Sequence, residues 1–289
     1  MTTERRVSFT LQPGTTYIDL SLLYSAANHR MVRQGGIFKG KFHIDGETAV
    51  GLGGDEQFII DVLPTTWPLI GAYKHGRRMH DLAMSPETEI VTKSRWHDFR
   101  VYYDTQHKVQ DAAGTKVTPN GCTLNFAPTG NADFVYSEVL DDAGTNTYTY
   151  HMLGPSDMAG TDRSFGMFAE YDTKDDTSVD ETGGANTNYN AILNDVNEGN
   201  ETHLKEDGDK PPYNKDSLQL PTKQYNLFVF GGTAAGSPSL PEAGIAVRST
   251  GEIEIPFGIV RVINNITAPR VLSFTFSKGG HKGIAWEAC

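Results

Sequence analysis

Residues 251–277 read GEIEIPFGIVRVINNITAPRVLSFTFS, and this stretch decides the fold class. It holds three short apolar runs in succession, at 251–255, 257–264 and 270–277. Ile253 and Ile255 alternate with glutamates, and Leu272, Phe274 and Phe276 alternate with smaller polar residues. Alternation of this kind, cut by Gly, Pro and Asn, is the period-two signature of half-buried strands. The gaps between the runs are too short for a crossover helix, so neighbouring strands must pair antiparallel.

The same texture extends outward in both directions. Val7, Phe9 and Leu11 alternate before Pro13-Gly14, and residues 37–44 (IFKGKFHI) put Phe38, Phe42 and Ile44 on one face and Lys39, Lys41 and His43 on the other. Residues 57–63 read as a buried strand, 98–104 (DFRVYYD) alternate through Phe99, Val101 and Tyr103, and 224–230 and 244–248 add further strands. Shorter strand candidates occupy 121–127, 134–140, 146–153 and 164–171. Two helices interrupt the strands near the start. Asp19 caps the first, whose Leu20, Leu23, Ala27 and Met31 recur at three- and four-residue steps up to Gly35-Gly36. Thr66 and Pro68 open the second, with Leu69, Ile70, Tyr73 and Leu82 as its inner stripe. The expectation is an all-β, antiparallel two-sheet sandwich, a jelly roll, with two inserted helices and long acidic loops. At 289 residues one such domain accounts for the whole chain, 1–289.

Charge is unevenly spread over the net −11. Residues 111–210 hold 5 Lys/Arg against 19 Asp/Glu, while the flanking thirds are near balance. The acidity concentrates at about 172–216, in two polar Gly/Pro-bearing stretches that read as loops projecting from the domain. Asp172, Asp175, Asp176, Asp180 and Glu181 put hard oxygen ligands within ten residues, the donor chemistry calcium takes, although the EF-hand spacing is absent. A solvated charged loop is the commoner meaning of such a run; calcium, completed by a neighbour's carboxylates at a subunit junction, is the alternative. Arg5, Arg6, Lys39, Lys41, Lys74, Arg77 and Arg78 are the candidates for phosphate contact.

Chemistry is harder to find. Six of the nine histidines lie within 29–107, but His75 and His80 are five apart, about 140° around a helix, and make a poor ligand pair. A solvated or interface face suits them better. His97-Asp98 would point to opposite faces of a strand. GLGGD at 51–55 precedes a strand instead of opening a helix, which marks it as a turn. No nucleophile motif or dinucleotide fingerprint is present, so no enzyme activity is expected. Cys122 and Cys289 read as free thiols. No run approaches the roughly 18 apolar residues of a membrane helix, and MTTERRVSFT has no secretory apolar core, so the chain is expected to stay inside the cell that makes it.

Three segments together, TYIDLSLLYSAANHRMVRQG (16–35), TWPLIGAYKHGRRMHD (66–81) and RWHDFRVYYD (95–104), resemble the capsid proteins of bacilladnavirus-like agents, the diatom-associated circular single-stranded DNA viruses. The resemblance covers about the first 105 residues. It implies a viral jelly roll that self-assembles with copies of itself into an icosahedral shell, resides in the virion and packages nucleic acid. In place of the long basic arm common in such proteins only Arg5 and Arg6 precede the first strand: either the arm is absent or truncated, or genome contacts come from the folded inner surface. The alternative is a carbohydrate-binding or carbohydrate-active jelly roll, which needs exposed aromatics beside carboxylates on a sheet face. Trp67, Trp96 and Trp286 do not sit in that pattern.

Overall fold

The structure is a computed structural model that describes residues 3–45, 57–83, 98–114, 116–122, 135–141, 144–157, 163–176, 222–228, 248–266 and 269–289. Two antiparallel sheets share one apolar core. The first is built from β1 (Arg6–Leu11), β3 (Gly36–Asp45), β9 (Ile253–Pro256), β11 (Arg270–Phe276) and β13 (Trp286–Ala288). The second has β2 (Gly14–Asp19), β4 (Gln57–Val62), β8 (Lys223–Phe228) and β10 (Ile259–Asn264), in the order β2-β10-β4-β8. β12 (Lys278–His281) leads through a turn into β13.

The alternation sets the register. Val7, Phe274 and Phe42 stand in one cross-strand row of the first sheet, and Phe9, Leu272 and Ile44 in the next. In the second sheet Ile18, Val260 and Val62 form the matching row. All nine are buried in one cluster, with Phe42 and Phe274 edge-to-face at 4.7 Å. A one-residue slip would turn each row to solvent, so the core itself fixes the pairing. The antiparallel expectation therefore holds for both sheets. In a third, smaller sheet, β5 (Glu138–Leu140) pairs antiparallel with β6 (Thr147–His151), but β7 (Ser164–Gly166) runs parallel to β6.

The other face of the second sheet is covered as well. A second core joins Tyr17 and Ile259 to Leu69, Ala72 and Tyr73 of α2 (Trp67–Ala83), to Phe99, Val101 and Tyr103, and to Tyr150 and Met152 of the third sheet. Phe257 adopts φ 59 at the corner between β9 and β10. That left-handed backbone is unfavourable for a bulky residue, and it is held because the ring is fully buried and stacked on Tyr73 at 4.3 Å.

Four sequence expectations change. The first helix, α1 (Leu20–Asn28), ends well before Gly35: His29 takes the left-handed C-cap position, and the Ser25 hydroxyl accepts the Val32 amide at 2.8 Å, drawing the chain out of the helix. Residues 98–104 form no regular ladder, and Asp98, Arg100 and Tyr102 are buried along with Phe99, Val101 and Tyr103. The inner stripe of α2 is Leu69, Ala72, Tyr73, Gly76 and His80, with Ile70 only half-buried; the side chain of Leu82 lies outside the described residues. Residues 167–176 are a helix, α4 (Met167–Asp176), where the sequence suggested the end of a strand and the start of a loop. It packs on α2, where Gly71 and Gly76 leave room for Tyr171 and Met167. α3 (Thr105–Ala112), capped by Asp104, was not anticipated either. Residues 84–97, 123–134 and 177–221 lie outside the described residues, and with them the 51–55 turn, the 121–127 strand beyond 122 and most of the 244–248 strand.

Residues 98–104 are held by side chains in place of a ladder. Gln34 brackets Val101, its amide donating to the Val101 carbonyl (3.0 Å) and its oxygen accepting the Val101 N–H (2.7 Å). The Arg100 guanidinium, only 1% exposed, donates to Asp19 at 2.9 Å and to the Ser21 hydroxyl at 3.0 Å. Asp19 also accepts the Leu22 N–H as N-cap of α1, so one carboxylate ties helix, sheet and segment together. Asp98 stands 4.0 Å from the same guanidinium and accepts the Gln34 N–H at 2.8 Å. Burial raises the Asp98 pKa, partly opposed by Arg100.

These contacts give two opposite mutational outcomes. Arg100→Leu strands two buried carboxylates and is expected to lower unfolding stability by about 3–5 kcal/mol. Asp98→Asn keeps the acceptor for Gln34. The folded state binds the Asp98 proton more tightly than the unfolded chain does, so ionising it carries a stability cost that is absent at low pH and full above the raised pKa. Urea titrations should therefore favour Asp98→Asn over the parent more at pH 7 than at pH 4; an equal difference at both would contradict this account.

Candidate functional site

The densest polar constellation sits between β2, α3 and residues 116–117 and 136. His107 lies at its centre, stacked on Tyr17 at 4.7 Å and edge-on to Tyr102 at 5.1 Å. Its Nδ1 accepts the Tyr103 N–H at 3.0 Å, which leaves the proton on Nε2 to donate to the Tyr136 hydroxyl at 3.2 Å. Burial, then the charge of Lys116, lowers its pKa to about 3. Tyr17 donates to Asp104 at 2.9 Å, and its own pKa is raised by burial and by that carboxylate. Asp111 accepts from the Tyr102 hydroxyl at 2.9 Å and is ion-paired with Lys116, also at 2.9 Å.

Both ring nitrogens of His107 are engaged. A general base needs a free lone pair, and the only one on neutral His107 is taken by a backbone amide. The recess beside it offers about 20 Å³, room for one water molecule and no substrate. What the cluster does chemically is hold residues 102–107 in shape.

A larger hollow of about 320 Å³ opens between α2, α4 and the third sheet. Met79, Val139, Tyr150, Phe165 and Met167 line it, with His75 and Glu170 also present. Met79 is half exposed, and Leu140, Val135 and Trp67 nearby in sequence on these elements or at their ends are 62%, 52% and 48% exposed. The hollow can receive apolar side chains. His75 and His80 do not share a solvated face as the sequence suggested: His80 is buried against Phe99 and Tyr150, while half-buried His75 leans toward Tyr171.

The sequence-predicted cations are not gathered into one surface. Lys39, Lys41 and His43 do line the outer face of β3, but Lys39 is paired with Glu254 at 2.8 Å and Arg6 with Asp45. Lys74, Arg77 and Arg78 belong to α2, where Arg77 faces Asp81 at 4.0 Å. Arg5 is exposed and approaches Tyr24, as Arg30 does. Of the calcium candidates, Asp172, Asp175 and Asp176 fall in α4 instead of a loop, and Asp180 and Glu181 lie outside the described residues. Among the described residues no group of three or more His, Cys, Asp or Glu is placed to hold a metal ion, and no helix is long and apolar enough to cross a membrane. Trp286 lies against Gly36 and under His281 (4.2 Å), Trp67 is on a helix, and Trp96 is outside the described residues.

Sequence reasoning missed Arg100, His107 and the lining of the hollow. A buried arginine within DFRVYYD looks like the polar side of an ordinary strand, and no local signal separates the two. The chain matches no protein-family model, no curated protein and no solved structure.

The His107 geometry predicts acid sensitivity. The unfolded imidazole takes a proton near pH 6.5 and the folded one only near 3, so stability is complete above pH 6.5 and falls as pH drops, by about 1.4 kcal/mol per unit. His107→Asn keeps an acceptor near the Tyr103 amide and removes the titration. Urea unfolding between pH 6.5 and 4 should show the variant with the shallower slope, even from a lower starting stability; parallel slopes would refute the assignment.

Proposed function

We infer that the chain is a structural subunit that self-assembles, a capsid protein whose two sheets form a jelly-roll shell unit. The observation that carries this reading is the apolar hollow flanked by exposed Met79, with Leu140 protruding from the adjoining sheet, on a sandwich whose own core is already filled. Subunit interfaces of roughly 1,200–2,000 Å² draw their affinity from a few such apolar anchors seated in a partner's recess. His107, with both ring nitrogens engaged, supports a structural and not a catalytic use of its cluster. The resemblance of residues 16–35, 66–81 and 95–104 to bacilladnavirus-like capsid proteins favours a shell in the virion over other assemblies. Calcium at subunit junctions, supplied with carboxylates from the acidic stretch, belongs to the same proposal.

Negative-stain microscopy and light scattering of the purified chain should show closed particles tens of nanometres across. Met79→Glu/Leu140→Glu should abolish them while leaving the melting temperature within a few degrees. A strict monomer at high concentration, across salt and calcium conditions, would sink the reading. Chelation by EDTA should swell or loosen the particles; unchanged particles without bound metal would remove calcium alone.

A further inference from the structure

The C-terminal end of α1 draws cations together from three stretches of chain. Arg30 and Arg33 follow directly on the His29 cap. The incoming N-terminal stretch is tied to the same helix end: the Glu4 N–H donates to Asn28 Oδ1 at 2.9 Å, and Asn28 Nδ2 donates back to the Glu4 carbonyl at 2.8 Å, which sets Arg5 alongside. From the opposite side, the turn between β12 and β13 is anchored by Tyr24, whose hydroxyl donates to the Lys282 carbonyl at 2.7 Å. The Lys282 ammonium bonds the Met31 carbonyl.

These side-chain-to-backbone hydrogen bonds bring Arg5, Arg30, Arg33 and Lys282 to one end of α1. Arg5, Arg33 and Lys282 are exposed and make no ion pair among the described residues. The crowding has an electrostatic consequence: partial burial, and then Arg33 and Arg30, hold the Lys282 ammonium below its usual pKa. Glu4 is one adjacent carboxylate, its Oε1 accepting the Arg6 N–H, and the Arg33 charge also acts on buried Asp98. The cations of the outer β3 face differ, since Lys39 and neighbouring Arg6 are already neutralised by Glu254 and Asp45. On the same turn as Lys282, the half-exposed His281 ring lies flat on the Trp286 indole, 4.2 Å apart and 27° from parallel.

We propose that this patch docks the phosphodiester backbone of a single-stranded nucleic acid. Guanidinium forks match phosphate oxygens bidentately, and an anion relieves the repulsion that the patch otherwise bears. Flat rings beside the cations supply the second element of single-strand binding surfaces, a platform for bases. The inference rests on the shell reading for its choice of a strand over a free phosphate. It moves nucleic-acid contact away from Arg6, Lys39, Lys41, Lys74, Arg77 and Arg78 to a group that the fold gathers around Arg5 at the end of α1.

The test uses the full chain and a fluorescent 20-nucleotide oligothymidylate, followed by anisotropy over a series of NaCl concentrations. With three or four cations engaged, log affinity against log salt should fall with a slope of about −2 to −3. Arg33→Glu/Lys282→Glu should weaken binding at least tenfold and flatten the slope by more than one, at an unchanged melting temperature. Lys41→Glu/Lys74→Glu carries the same change in net charge and separates a local patch from the field of the whole protein. Equal loss in both variants, or loss in the second alone, overturns the proposal. So does a parent chain that ignores the oligonucleotide, or that binds heparin of matched charge equally well. Particles seen by microscopy without oligonucleotide binding would defeat this inference and leave the shell reading intact; binding without particles would do the reverse.

Discussion

Arg100 is a guanidinium with almost no contact with water, and the arrangement of everything above the second sheet follows from how its charge is met. A buried cation is tolerable only when its hydrogen bonds are satisfied by opposite charge. Asp19 meets it from the end of β2, and the same carboxylate starts α1. One contact therefore fixes where a strand stops, where a helix begins and where residues 98–104 run. Gln34 adds a second clasp from the chain just before β3. Asp98 stands beside the same guanidinium, and its burial, only partly opposed by the Arg100 charge, makes the fold hold its proton more tightly.

The molecule is layered around this clasp. The first sheet and the inner face of the second enclose an apolar core made by alternation alone. The outer face of the second sheet is different in kind. It carries Tyr17 and the Arg261–Asp61 pair (2.6 Å), and Arg261 lies over the Tyr103 ring at 5.7 Å. Aromatic and ionic contacts thus dock the layer of α2, α3 and the third sheet, and pH acts on that layer through His107 and Asp98. The hollow proposed for subunit contact opens in this outer layer, while the cationic patch lies at the end of α1, against the β12–β13 turn. Assembly and strand binding are thereby assigned to separate surfaces.

Much of the framework was legible from the chain itself. Period-two alternation placed β1, β3, β9 and β11 and chose their inward faces, because a strand buried on one side must alternate whatever its partners; β4 and β10 were legible only as short apolar runs. Asp19 as a helix cap and α2 were legible for the same local reason. α3 and α4 were not: the first is only eight residues long, and the second is a helix because Gly71 and Gly76 let Met167 and Tyr171 approach α2. No periodicity in a short amphipathic stretch predicts that.

Alternation, caps and turn residues are local, and through them the sequence by itself determined that β1, β3, β9 and β11 are strands and which side of each meets the core; it did not show β2, β12 or β13, nor that 98–104 leave the ladder. Only the tertiary structure decided what the charges do. Arg100 finds Asp19 across 81 residues and Arg261 finds Asp61 across 200, so neither pairing leaves a trace in local pattern. Lys39 and Arg6 are neutralised by carboxylates on other strands or across the sheet, whereas Arg5, Arg33 and Lys282 converge. A charge is read correctly only when its neighbours in space are known, and those neighbours come from how the strands pair.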